Sequence, residues 1–196
     1  MRKKDQPKLW LCLYLPNLAL EVFYPSGPKQ PPNDGLKPIA IIQQQRIEAL
    51  SYHAAATGLR VGTMASHAYA LCENLTCIEK SAAKERRALA QIAQWLYEFT
   101  PNVCPYGDQH LILEVSSSLK LFSGLNHLKY LIEEKTTRLG YTPKLGVSQT
   151  PLAAKISAEI DCPDNHQQSP GIALKSLQLI HLQLPPPSVM KLEKMG

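Results

Sequence analysis

Apolar and polar positions along the chain alternate with two different periods, and the changes of period mark out strands and helices. Leu9-Trp-Leu-Cys-Leu-Tyr-Leu15 is a nearly unbroken apolar run, short enough for a buried strand, and it passes into the short helix Pro16-Asn-Leu-Ala-Leu-Glu21. Tyr24 to Lys37 holds four prolines and two glycines, which requires an exposed loop. Pro38 to Ile42 and Ile47 to Ser51 predict two short strands around a Gln-rich turn. Tyr52 to Thr57 is an Ala-rich helical turn stopped by Gly58, Thr63 to Leu71 a second short helix, and Thr76 to Glu79 a strand.

From Ser81 the period lengthens, and Leu89, Ile92, Leu96 and Phe99 recur at helical spacing until Pro101. Lys84, Glu85, Arg86 and Arg87 in its first turns form a solvated face. Leu111 to Val115 is an apolar strand, Leu125 to Leu139 an amphipathic helix closed by Gly140, and Lys144 to Ser148 another strand. Thr150-Pro151 supplies an N-cap and a first-turn proline for a helix over Leu152 to Ile160. CPDNHQQSPG is a loop, Ile172 to Leu182 is helical, and Ser188 to Met195 has nothing visible to pack against. The order predicts an α+β fold: a ferredoxin-like mixed or antiparallel sheet with helices on one face and an inserted small subdomain. Trp10 and Trp95 are expected as core anchors, and Phe122 as a buried plug at a helix start.

Composition narrows the picture only slightly. The 196 residues, 44% of them hydrophobic, suffice for one large domain or two small ones, and the net charge of +5 permits nucleic acid or an anionic surface as a partner. Five cysteines, Cys12, Cys72, Cys77, Cys104 and Cys162, form an odd set without Cys-x-x-Cys, which argues for reduced thiols in a cytosol. Cys72, Cys77 and nearby His67 match no zinc spacing, so the two thiols are expected as small buried hydrophobes. Met1-Arg-Lys-Lys before the first apolar run imitates a secretory signal. However, Asp5 to Lys8 intervene, Pro16 and Asn17 interrupt it, and no small-x-small site follows. No other apolar stretch approaches the roughly 18 residues of a membrane span.

Candidate chemistry comes from three cassettes: the opening strand with Glu21; Ala49-Leu-Ser-Tyr-His-Ala-Ala-Ala-Thr-Gly-Leu59; and DQHLILEVSSSLKLFSG (108 to 124) with GVSQTPLAAKISAE (146 to 159). Together, over most of residues 8 to 160, they resemble the Y-family (DinB/UmuC-like) lesion-bypass DNA polymerases. The resemblance implies a palm at 8–15 and 81–170, fingers at 16–80, and the start of a helical thumb at 171–196. It also locates departures. The metal-binding Asp of the family falls on Cys12, and its Asp-Glu pair falls on Gln109 and His110. The triphosphate-contacting Arg falls on Ala55, and the bulky residue that excludes a ribose hydroxyl falls on Asn17. Tyr52, Gly58, Val115 and Lys155 match, Lys155 standing on the phosphate-facing lysine.

Polymerases hold two divalent cations about 4 Å apart with carboxylates, and Cys12, Gln109 and His110 supply none. A one-residue slip would offer Asp108 but would turn each side chain to the other face of its strand. Glu114 is expected to face outward, and the Cys12 thiol is too buried and too soft for Mg²⁺. The wording is closest to the catalytically inactive ImuB-like subgroup. That likeness implies a cytoplasmic bacterial organiser of DNA-damage-induced translesion synthesis, with no cofactor and no membrane. It implies primer-template DNA, an error-prone replicative-type polymerase, a RecA-like accessory protein and the sliding clamp as partners, mostly through a C-terminal part missing here. The residues available to touch nucleic acid or phosphate are Lys155, Tyr52, Arg60 and Arg46. For Tyr52 a packing role is the favoured reading and for His110 that of an ordinary strand histidine, while Lys155 is equally readable as a solvated helix lysine. Two alternatives stand beside this reading: a low-activity nucleotidyltransferase with unusual metal ligands, and a ferredoxin-like binding domain unrelated to DNA. Whether Arg46, Arg60, Lys144 and Lys155 line one groove separates the last from the first.

Overall fold

The computed structural model describes residues 8–25 and 37–160. The basic start, most of the proline-rich loop, Cys162, the helix expected over Ile172 to Leu182 and the thumb segment 171–196 lie outside the described residues. Within them the elements run β1 (Trp10–Tyr14), α1 (Leu18–Glu21), β2 (Ile39–Gln43), β3 (Arg46–Leu50), α2 (Tyr52–Ala56), α3 (Ala65–Leu71) and β4 (Thr76–Glu79). They continue with α4 (Ala82–Leu96), β5 (Val103–Tyr106), β6 (His110–Glu114), α5 (Leu125–Arg138), β7 (Lys144–Ser148) and α6 (Pro151–Glu159).

The larger sheet has the order β5-β6-β1-β7 and is antiparallel throughout. Taken with α4 and α5, this is the split βαββαβ of a ferredoxin-like layer. Its second strand, β5, was not visible in the sequence, because Val-Cys-Pro-Tyr lacks a strand signature and carries Pro105. An edge strand tolerates the missing N–H. Parallel pairing is confined to the smaller sheet, β3-β2-β4, where β2 runs beside β4.

One face of the larger sheet buries Leu11, Leu13, Leu111, Leu113 and Val147 under Leu89, Ile92 and Leu96 of α4 and Leu128 and Ile132 of α5. The two long helices therefore share one face, as expected. The opposite face is covered as well: Ala154 and Ala158 of α6 pack on Cys12 and Ile112. Cover on both sides explains why β1 is a continuous apolar run and why Leu11, Cys12 and Leu13 are all fully buried. The smaller sheet has its own core of Ala40, Ile47, Ala54, Leu59 and Ala68, with Cys72 buried and Cys77 half-buried against it. Cys104, by contrast, is exposed.

Local signals hold where capping residues set them. Ser51, Ser81 and Thr150 each accept a hydrogen bond from the backbone N–H three residues on, opening α2, α4 and α6. Gly58 takes φ +89° after α2, a conformation that costs glycine little. Three expectations fail. Glu85, placed among the solvated charges of α4, is 2% exposed because it turns inward toward Lys80. Trp95 is half exposed, with the Lys135 ammonium 5.1 Å from its ring. Phe122 is only half-buried, its ring 5.2 Å from that of Phe99. Among the described residues no helix is long and apolar enough to cross a membrane.

Candidate functional site

The face of the larger sheet beneath α6 carries the positions that the cassettes single out. Period-two alternation puts Cys12 and Tyr14 on this face of β1, and the register sets His110 across from Tyr14 and Ile112 across from Cys12. On the other flank Gly146 of β7 faces Cys12, and only the missing side chain lets α6 descend. A Cβ at Gly146 would stand 2.2 Å from the Ala158 nitrogen and 2.4 Å from the Ala154 oxygen. α6 therefore sits directly on Cys12. Burial, then the Glu159 carboxylate, pushes that thiol up to about 12 against the opposing pull of Lys155, so it stays protonated.

His110 is buried, and its ring stacks on Tyr14 with centroids 4.6 Å apart and planes 9° off parallel. Its Nε2 lies 3.1 Å from Glu159 Oε1, at an angle that leaves this nitrogen without a formed hydrogen bond. Burial holds the imidazole below its ordinary pKa; Glu159 opposes that shift and Lys155 adds to it. Lys155 is 6% exposed, and its Nζ lies 3.0 Å from the same Glu159 oxygen one helical turn away. The expectation of a solvated helix lysine is thus overturned, because α6 presents Lys155 to the sheet rather than to solvent. Glu159 is the residue that sequence reasoning missed. The signal was the Lys-x-x-x-Glu spacing, which sets the two side chains one turn apart on the same face of the helix.

A cleft of about 330 Å³ opens beside this group, lined by Glu48, Lys80, Asp108, Gln109, His110 and Lys155, with Tyr106 and Gly107 at the hairpin. Asp108 and Gln109 occupy the β5–β6 turn, and the Gln109 carbonyl accepts the Leu15 N–H. Lys80 forms an ion pair with Glu48 of β3 and stands 3.8 Å from Glu85 of α4. The fold family implies a pair of divalent cations at Cys12, Gln109 and His110, and these residues do not fit them. A buried protonated thiol, a carboxamide and an imidazole stacked on Tyr14 cannot supply bridging carboxylates. Of the carboxylates nearby, Glu48, Glu85 and Glu159 are engaged with lysines, and Asp108 stands in the β5–β6 turn. Among the described residues no group of three His, Cys, Asp or Glu side chains is placed to hold a metal ion.

The remaining predicted residues are dispersed. Tyr52, for which packing was the favoured reading, is 80% exposed at the start of α2. Ala55 on the same helix is exposed too. Arg46 and Arg60 are both exposed on the smaller sheet's side, where Arg46 donates to the Gly62 carbonyl and the turn after Arg60 bonds back to Ile47. Lys144 pairs across from Tyr14 on β7, and Lys155 is internal, so the four cations do not form one row of exposed charge. Glu21 is also fully buried. Its carboxylate accepts the Thr142 N–H, 3.1 Å from each oxygen, and the Thr142 hydroxyl at 2.6 Å. It ties α1 to the turn before β7 and takes no part in the cleft. Glu114 is half-buried at the far end of β6. Burial raises its pKa, but hydrogen bonds from Ser116 and Asn102 outweigh that and lower it.

A ferredoxin-like sheet with a small mixed-sheet insertion after its first strand, and a cleft where the two meet, defines the palm-and-fingers core of a Y-family polymerase. The chain belongs to the impB/mucB/samB family, whose model matches residues 34–159. It is 27% identical over 145 residues to DNA polymerase IV of Exiguobacterium sibiricum, covering 74% of this chain and 36% of that protein. It is equally 27% identical over 142 residues to Protein ImuB of Caulobacter vibrioides, covering 71% and 31%. The chain thus spans about a third of the length of these curated relatives. Among solved structures, a ternary complex of Dbh matches with a TM-score of 0.74 at 14% identity, over 96% of this chain and 57% of that one. DinB from Sulfolobus solfataricus matches with a TM-score of 0.66 at 15% identity, over 96% and 57%. These two likenesses speak for the fold.

Proposed function

We propose that this chain is a non-catalytic Y-family polymerase-like module that serves DNA-damage-induced translesion synthesis as a DNA- or partner-binding organiser. The observation that carries the reading is the donor set at the catalytic position: Cys12 is sealed under α6, and Gln109 and His110 replace the paired acids. Phosphoryl transfer of this kind requires carboxylate-held cations. A relative named DNA polymerase IV and another named Protein ImuB support a role in the same process. The dispersal of Arg46, Arg60, Lys144 and Lys155 removes the argument from one basic groove, and family membership is what weighs against a domain unrelated to DNA.

In this proposal residues 8–15 and 81–170 form the palm, 16–80 the fingers and 171–196 the beginning of a thumb. Arg46 and Arg60 touch DNA phosphates, and the exposed ring of Tyr52 stacks on a base. Lys155 is withdrawn from that set. The replicative-type polymerase, the RecA-like accessory protein, the sliding clamp and the cytoplasmic location belong to the proposal as well.

Primer extension with Mg²⁺ or Mn²⁺ tests the central point. The expected result is no incorporation, and robust extension that a Lys155→Ala substitution reduces would refute it. Anisotropy against primer-template DNA across a salt series tests the second. Each of Arg46→Ala and Arg60→Ala should lower the slope of log affinity on log salt by about 1. A flat salt response would remove DNA phosphates as a ligand.

A further inference from the structure

A second concavity lies away from α6, where α4 and α5 cover the opposite face of the larger sheet. Its volume is about 400 Å³, with the buried Ile92 at its floor and Trp95, Leu139 and Tyr141 around it. Trp95 is 45% and Leu139 39% exposed, so apolar surface stands open at its mouth. Lys135 engages Glu98 and stands over the Trp95 ring, which holds the indole against α5. Gln91 and Gln94 are exposed on the rim, where their amides can donate to and accept from a peptide backbone.

Charge beside this groove is one-sided. The charged residues of α4 are Lys84, Glu85, Arg86 and Arg87, and because Glu85 turns inward toward Lys80 the exposed ones are all cations. Arg87 stands one helical turn before Gln91, on the stripe that continues through Gln94 and Trp95. The acids at the other end are engaged, Glu98 by Lys135 and Glu134 by Arg138. A half-exposed tryptophan over an apolar hole, with arginines along one side, has the composition of a protein-binding hot spot. Single-stranded nucleic acid fits it less well, because the Lys135 ammonium already takes one face of the indole on which a base would stack.

We propose that the groove between α4 and α5 docks an acidic segment of a partner protein, which inserts an apolar side chain between Trp95 and Leu139 and sets its carboxylates against Lys84, Arg86 and Arg87. This deepens the partner-binding part of the proposed function and rests on it. The cations steer the encounter, and the anchored side chain sets the lifetime of the complex. Because the groove and the α6 side of the sheet face opposite ways, the partner leaves the cleft open.

The test is selection of a displayed library of random peptides on the full chain, followed by anisotropy titration of the peptide selected. Sequences with a Leu, Phe or Trp flanked by Asp and Glu should be enriched. Trp95→Ala should weaken the selected peptide by about tenfold or more. Arg87→Glu should weaken it by about fivefold and flatten its salt dependence. Arg46→Ala, on the smaller sheet, should leave it unchanged. No enrichment, enrichment of basic peptides, or an acidic peptide whose affinity survives both groove substitutions overturns the proposal. Other occupants overturn it too: oligothymidylate that displaces the peptide and is weakened by Trp95→Ala identifies single-stranded DNA, and a dimer in sedimentation that Trp95→Ala dissociates identifies a second copy. If Trp95→Ala does not fold, Arg87→Glu, a change of an exposed charge, decides by the same readings. Failure of peptide binding without primer extension would refute only the docking site, whereas primer extension would refute the non-catalytic reading and leave the groove standing.

Discussion

Glu21 is the acid that survives in the opening cassette, and its geometry assigns it a structural task that can be measured. Its carboxylate is fully buried and accepts two hydrogen bonds from a single residue, the Thr142 N–H and the Thr142 hydroxyl, 121 positions away in sequence. Hydrogen bonds to a charged acceptor contribute about 1.5–3 kcal/mol each. Thr142 is exposed, so water replaces part of what a truncation removes. Glu21→Ala should therefore cost about 3 kcal/mol, which for a chain of this length lowers Tm by about 6–12 °C. Glu21→Gln keeps one good acceptor and should cost about half as much. Urea denaturation of both variants, with Thr142→Ala and the double variant, closes a thermodynamic cycle. A coupling energy of about 1 kcal/mol or more between positions 21 and 142 is expected for residues in direct contact. Glu21→Ala within about 0.5 kcal/mol of wild type, the range of an ordinary surface substitution, would refute the clamp.

Three further outcomes follow from the site. Restoring the family's acid with Cys12→Asp should destabilise the chain by about 3 kcal/mol without producing primer extension, because the new carboxylate would be buried against Ala154 and Ala158 and beside Glu159. Urea melts and a gel-based extension assay check the two halves. Gly146→Ala should cost at least about 3 kcal/mol, since its methyl would collide with α6 backbone that cannot move alone. A neutral result in thermal denaturation would mean that α6 does not lie on β7 as described. His110 has a folded-state pKa below its unfolded value, so its contribution to stability is present above the unfolded pKa and lost as pH falls through the folded one. Stability should fall as pH drops below about 6.5, the unfolded value. His110→Gln should remove part of that slope, which denaturation at a pH series would detect.

The parts of the fold legible in the sequence were those fixed by local rules. β7 over Lys144–Ser148 and the Thr150-Pro151 opening of α6 needed only an apolar run and a cap. β5 was not legible because pairing with β6, not its own composition, makes it a strand. The inward turn of Glu85 escaped notice because a charged residue among Lys84, Arg86 and Arg87 carries no mark of burial; only Lys80, five residues back, explains it. Trp95 and Tyr52 were given packing roles from residue type alone, and the surfaces that would cover them are absent among the described residues. At the site, the losses at Cys12, Gln109 and His110 were visible by position. The pairing of Lys155 with Glu159 was not, since it depends on how close α6 comes to β1.

That closeness links two residues that look independent in the sequence, Cys12 and Glu159. A lysine on a helix pressed against a sheet stays charged only beside an anion, and in a nucleotide-binding palm the ligand or the catalytic acids can serve. Here the neighbouring Cys12 thiol is itself kept neutral, and Glu159 supplies the anion from within α6. Once Glu159 pairs with it, the lysine is a requirement of packing, because removing it would strand Glu159 beside His110 and Cys12, two groups that burial already keeps uncharged. Lys155→Met alone should therefore destabilise the chain more than Lys155→Met with Glu159→Leu, and urea denaturation of the pair would show it. Equal stability of the single and double variants would mean that Glu159 is solvated without its partner, and that the lysine is still free for a ligand.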